Sequence, residues 1–376
     1  MGVFEAERDD SPMSADPVAS LVEADRGSCT PEQRALFRYE LARAIGAGYG
    51  RVLLLRIARP VPVRGAVRGP AVRAFLRLAV LGAWPYAVTT AIGANLTVRS
   101  HLYGALLSVV CTLMLAMAWA GWRYAERSAA PVGEMLCTSP DAEAFVSWLA
   151  RTQRLAPQLA CSLTGLGLGV CSAYANFSRP GGTGTSALAP YLPAAWAGFL
   201  GGGVLYWFFV LARVPLRLRR AAHLRLSWLD PAHTPGIVRL CTCYVLVSTG
   251  LGAGVVVIEA AGVAVATGRT PGLLDAFVFG FPVFAAALAL YAGVQPFWTL
   301  SRIVRSYQQE AFGPLLTQVA RPPHTLLLDP AMREALETYR SLRALRTLPV
   351  RTWAILQYVT GILASLIIFF LQGILK

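Results

Sequence analysis

The sequence predicts an all-α protein, a polytopic transmembrane helical bundle of seven crossings with its amino terminus inside and its carboxyl terminus outside. Three observations carry that expectation. Of 376 residues, 55% are hydrophobic and 14% charged, against about a quarter charged in an ordinary soluble domain, so the apolar excess faces something other than water. Seven apolar runs are long enough to cross roughly 30 Å of hydrocarbon at about 1.5 Å per residue. The arginines fall almost entirely to one side of those runs, and arginine-rich short loops stay cytoplasmic.

Charge and composition exclude several chemistries. Lysine and arginine number 34 against 20 acids, a net charge of +14, and the only lysine is Lys376. A P-loop ATPase, a protein kinase and a Schiff-base enzyme each need a lysine in the body of the fold, so none is built here. The four histidines (101, 223, 233, 324) are dispersed. Cys241 and Cys243 stand two apart on a helix and point about 200° from one another, so they do not converge on one metal. With seven cysteines, an odd count, no disulfide framework is implied. No cofactor, metal or nucleic acid is expected, and neither is an enzyme, because acids and Ser/His constellations are almost missing from the apolar runs.

Residues 1–32 carry eight acids and two arginines, several prolines and no apolar signal-peptide core. They read as an acidic, disordered cytosolic tail. Residues 33–74 read as a basic amphipathic cytosolic segment. Thr30-Pro31-Glu32-Gln33 supplies an N-cap, a proline at the first helical position and a glutamine at the third, opening a helix through Leu36, Phe37, Leu41 and Ile45. Gly46-Ala-Gly-Tyr-Gly50 reads as the glycine-rich end of that helix. A potassium filter needs a pore helix between two crossings, and a phosphate loop needs a preceding strand; this stretch has neither context.

Residues 75–300 hold six crossings, at 75–96, 102–122, 157–177, 191–212, 238–266 and 277–300. The loops after the first, third and fifth carry one arginine each, Arg99, Arg179 and Arg269, and the other arginines lie on the opposite side. Trp119, Trp122, Trp207, Trp298 and Trp353 fall at the expected inner ends, where amphipathic rings settle among headgroups. Residues 301–352 read as a cytosolic helical hairpin: the sixth helix runs on through Arg302 and Arg305 until Gly313-Pro314 breaks it, and Asp329-Pro330 opens a second arm. Residues 353–376 form the seventh crossing.

Thr164-Gly-Leu-Gly-Leu-Gly-Val170 matches Thr249-Gly-Leu-Gly-Ala-Gly-Val255 at an offset of 85, with Arg154-Leu155 and Arg239-Leu240 before them at the same offset. This pattern fits three tandem two-helix hairpins followed by one helix. The pairs Gly165/Gly169, Gly198/Gly202 and Gly250/Gly254 are candidate helix-packing positions, since GxxxG clears one face for close backbone approach. They mark helices three, four and five as the packed centre.

The stretch from Trp207 to about Leu251, with Tyr339 to Trp353, resembles a group of uncharacterised multi-pass bacterial membrane proteins. Its members have an aromatic-arginine helix end, then a loop with His-Pro-Asp and Gly-Gly-Leu. Here Asp230-Pro231-Ala232 and Pro235-Gly236-Ile237 stand in those places, so the proline and one glycine hold. The resemblance implies a multi-pass membrane fold and no known activity. Arginine in place of lysine, with abundant alanine and glycine, fits a GC-rich bacterial genome and a bacterial cytoplasmic (inner) membrane location.

Two functional readings follow. The first is a membrane scaffold or sensor whose Arg-rich cytosolic face meets anionic lipid or a cytosolic protein, with homo-oligomers compatible. The second is a small-solute or ion transporter or channel. Glu259 is the one acid inside a crossing and a candidate transport or proton site with Asp275 nearby. A carboxylate reaching the outer headgroups or Arg269 is the simpler account of Glu259. Gln295, beside Pro296 in the sixth crossing, is the third candidate, because a proline frees backbone carbonyls that coordinate solutes in broken helices.

Overall fold

The computed structural model describes residues 31–58, 70–92, 98–136, 139–177, 190–221, 224–227, 230–265 and 273–319, with positions 359, 362, 363 and 367. Among them the elements are helices, joined by one isolated bridge between Leu136 and Leu224. In chain order they are α1 (Pro31–Arg51), α2 (Leu53–Ala58), α3 (Pro70–Ala91), α4 (Val98–Gly133), α5 (Ser139–Thr152), α6 (Leu155–Phe177), α7 (Tyr191–Leu218), a 3₁₀ turn (Pro231–His233), α8 (Pro235–Val265) and α9 (Leu273–Val319).

Four of these are long and apolar enough to cross a membrane: α4, α6, α7 and α8, over Ser100–Gly133, Leu155–Tyr174, Tyr191–Leu218 and Pro235–Gly254. The chain is on this ground a helical membrane protein. These four coincide with the second to fifth runs of the sequence. The first run lies in α3, which starts at Pro70 and ends at Ala91, and the sixth lies in α9. The tail, the second arm of the expected hairpin and most of the seventh run are outside the described residues.

The pairs α3–α4, α6–α7 and α4–α8 run antiparallel, with α6 and α7 the closest. A Cβ on Gly165 would lie 2.9 Å from the Cα of Gly202 and overlap the carbonyl oxygen of Gly198. Gly169 meets Ala194 in the same way, and Gly202 meets Cys161. Only hydrogen fits at these crossings, because in lipid it is tight van der Waals packing rather than water exclusion that joins helices. Serine and threonine along the spans satisfy their own hydroxyls: Ser108, Thr112, Thr164, Thr242 and Thr249 each donate to the carbonyl four residues back.

The fifth crossing does not join that glycine contact. Gly250 of α8 faces the sulfur of Met117 on α4, and a Cβ on Gly254 would meet nothing within 4 Å. The packed centre is therefore α6 on α7 and, separately, α8 on α4, with α4 and α7 in contact between them. Gly201 sits against Met114, and Trp122 stacks edge-on to Trp207 at 5.2 Å.

Helix α1 is described over Pro31–Arg51 and carries Glu32 near its start and Arg51 in its last turn. Phe37, Leu41 and Ile45, spaced four apart, are buried, while Leu36 and Tyr39 are exposed. The buried face lies on the end of α4, with Phe37 and Leu41 about the bare backbone of Gly133. The glycines 46, 48 and 50 make up the last turns of α1, which ends at Arg51 just before α2. Gly48 is required there because the indole of Trp122 occupies the place of its side chain.

Helix α9 also departs from expectation, continuing through Gly313-Pro314 to Val319. A proline disfavours helix in the residue before it by clashing with that residue's N–H and Cβ, and Gly313, with no Cβ, avoids the second clash. At 36 and 47 residues, α4 and α9 would be about 54 Å and 70 Å long at 1.5 Å per residue, so both outrun a hydrocarbon layer.

Candidate functional site

The helix directions collect the arginines at one end of the bundle. Arg43 and Arg51 of α1, Arg123 and Arg127 of α4, Arg151 and Arg154 at the α5–α6 junction, Arg213 and Arg217 of α7, Arg219 and Arg220 just beyond it, Arg239 of α8 and Arg302 and Arg305 of α9 are all exposed there. Three lie over tryptophan rings: Arg123 over Trp119 at 5.2 Å, Arg217 over Trp148 at 5.7 Å and Arg302 over Trp298 at 5.3 Å. Such stacking holds the guanidinium flat while leaving its N–H groups free for a second ligand. Arg38 pairs with Glu134 at 2.7 Å, tying α1 to the end of α4.

Beneath these arginines is a polar junction built on Gln158. Its Oε1 accepts the backbone N–H of Leu53 at 2.8 Å and the indole N–H of Trp207 at 3.3 Å. Its Nε2 donates to the carbonyls of Gln153 and Arg154, both at 3.1 Å, and of Arg51 at 3.3 Å. The local sequence explains why these groups need a partner. Val52 interrupts the helix between α1 and α2, and Pro157 has no N–H to give to the carbonyl of Gln153 four residues back. One carboxamide serves both breaks, since it alone offers an acceptor and two donors.

Gln153 lies alongside, its Nε2 donating to the carbonyl of Ala44 at 2.9 Å. Tyr206 donates to the carbonyl of Thr152 at 2.6 Å. Both glutamines are 1% exposed. The Oε1 of Gln153 and, one turn above Gln158, the hydroxyl of Ser162 are buried without a hydrogen-bond partner.

The link from α7 to α8 completes this end. Arg225 N–H donates to the carbonyl of Met135 at 2.8 Å, and Tyr307 of α9 donates to that of Leu226 at 3.0 Å. Asp230 caps the 3₁₀ turn and meets His233 Nδ1 at 2.7 Å. Asp230 and His233 thus form a local cap, and among the described residues no three His, Cys, Asp or Glu side chains gather as a metal site.

The sequence candidates separate. Glu259 falls in α8 and Asp275 in α9, and their side chains are outside the described residues. Gln295 is on α9, its Nε2 3.3 Å from the hydroxyl of Thr299 and its Oε1 buried without a partner. Gly165, Gly169, Gly198 and Gly202 come together; Gly250 and Gly254 stand apart from them. Sequence reasoning missed Gln158, Gln153 and all of α2. A polar pair beside Pro157 and a short apolar run between Arg51 and Arg56 were the available signals.

No protein-family model matches the chain, and no curated protein or solved structure matches it.

Proposed function

We propose that the chain is an integral scaffold or sensor of a bacterial inner membrane, with its basic end in the cytosol against anionic lipid headgroups or an acidic segment of a protein. The observation that supports this reading most is the gathering of exposed arginines at one end, three of them stacked on tryptophan. Arginine forks match phosphate and carboxylate oxygens, and each such residue near an anionic leaflet contributes about 1 kcal/mol. Lipid retained by the purified protein tests it. Anionic lipid should outlast zwitterionic lipid through detergent washing at low salt and be lost at high salt. Equal retention of both would count against the reading.

A small-solute or ion transporter is the second reading, favoured by the unpartnered Oε1 of Gln295 inside α9. Uptake into proteoliposomes that changes in Glu259→Gln or Gln295→Leu would support it. Co-purification of a cytosolic protein without uptake would favour the scaffold.

A further inference from the structure

At the basic end of the bundle α2 touches α3, α4, α6 and α7. Val52, Leu54 and Leu55 are buried, and Leu54 reaches Gly203, near the midpoint of α7. A Cβ on Gly203 would be 3.2 Å from Leu54 Cγ and 3.1 Å from the hydroxyl of Ser162. A piece of chain that belongs to the basic end by sequence thus occupies the inner half of the bundle.

Six residues are too few for a helix to stand by itself, so α2 depends on the burial of Leu54 and Leu55 with Val52 before them, on the Gln158 hydrogen bonds to Leu53 and Arg51, and on its links to the end of α1, where Val52 N–H donates to the Gly48 carbonyl and Arg56 Nε–H to that of Gly50. Gly50 has nothing within 4 Å of where a Cβ would be. Behind α2, Ser162 meets Leu54 about Gly203, is 0% exposed and has a hydroxyl with no partner. Buried orphan groups of this kind cost free energy unless water or a ligand reaches them in another state.

We propose that α2 is a retractable plug, latched by Gln158, over a cleft between α4, α6 and α7 that opens at the basic end. Withdrawn, it exposes Gln158 and Ser162 to water. The carboxamide and the hydroxyl carry no charge, so the cleft suits small uncharged solutes that hydrogen-bond. This inference is independent of the lipid reading, because it concerns the inside of the bundle rather than its arginines.

Ser162→Cys in the full chain, held in lipid nanodiscs, supplies the test. A small charged thiol reagent reports water access at position 162, read by peptide mapping so that the native cysteines are scored separately. With the plug in place modification is slow. Adding Gln158→Leu, which removes the latch, or Leu54→Ser, which weakens the anchor, raises the rate roughly tenfold or more, the effect of about one lost buried hydrogen bond or apolar contact on a closed-to-open equilibrium. Either variant suffices if the other does not fold. Fast modification in the Ser162→Cys parent, or a rate unchanged within about twofold in a folded double variant, would overturn the proposal.

Discussion

The side-chain oxygen of Gln158 accepts the backbone N–H of Leu53 at 2.8 Å, across 105 residues of chain. Through that contact the segment before the first expected crossing is joined to the third. Replacing Gln158 by leucine keeps the volume but strands the N–H groups of Leu53 and Trp207 and the carbonyl of Gln153. The expected loss is about 2–4 kcal/mol of stability, seen as a clear fall in the unfolding temperature of the solubilised protein. Gln295→Leu, which removes an oxygen that has no partner, should cost less than about 1 kcal/mol.

The glycine contacts make a graded prediction. Gly165→Leu and Gly198→Leu drive a side chain into the facing backbone and should cost at least about 2–3 kcal/mol. Gly250→Leu meets the flexible end of Met117 and should cost less. Gly167→Leu, on the open face of α6 with nothing within 4 Å, should change stability by under about 1 kcal/mol. Equal thermal stability of all four would show that the α6–α7 contact is not held by its glycines.

On α1, packing should outweigh charge. Arg38 and Glu134 are both nearly half exposed, so Arg38→Ala should cost less than about 1 kcal/mol, and less still at high salt. Phe37→Ala, in the neighbouring buried position, should cost about 3 kcal/mol. Protease sensitivity of residues 31–58 compared in the two variants distinguishes them.

How much of this could be read in advance depends on how local the cause is. The buried face of α1 and the meeting faces of α6 and α7 follow from residues within a few turns of one another: Phe37, Leu41 and Ile45 stand four apart, and the spacing of Gly165, Gly169, Gly198 and Gly202 shows the second contact directly. What fills the space over Gly250 does not follow, since a small residue announces room but not that Met117 takes it. Helix α2 was hidden for a related reason. Four apolar residues between Arg51 and Arg56 fit many structures, and Leu53 acquires its acceptor only when α6 arrives. Pro157 marks the carbonyl of Gln153 as unsatisfied, yet nothing near it in sequence says that the same carboxamide also serves Arg51.

The acidic stretch 1–32, mostly outside the described residues, has a net charge of −6 by sequence, opposite to the basic end. Deleting residues 2–29 should strengthen binding of the purified protein to anionic vesicles at low salt, with the difference vanishing as screening shortens to about 3 Å near 1 M salt. Unchanged affinity at low salt would mean that the stretch does not compete for the arginines.

The side of the membrane on which the arginine end lies decides the account most directly. A reporter active only in the cytosol, placed at residue 1 or inserted after Arg220, should be active in both positions, and inactive when inserted after Ile92 or fused to Lys376. Activity after Ile92 with silence after Arg220 would put the arginines outside and contradict the account.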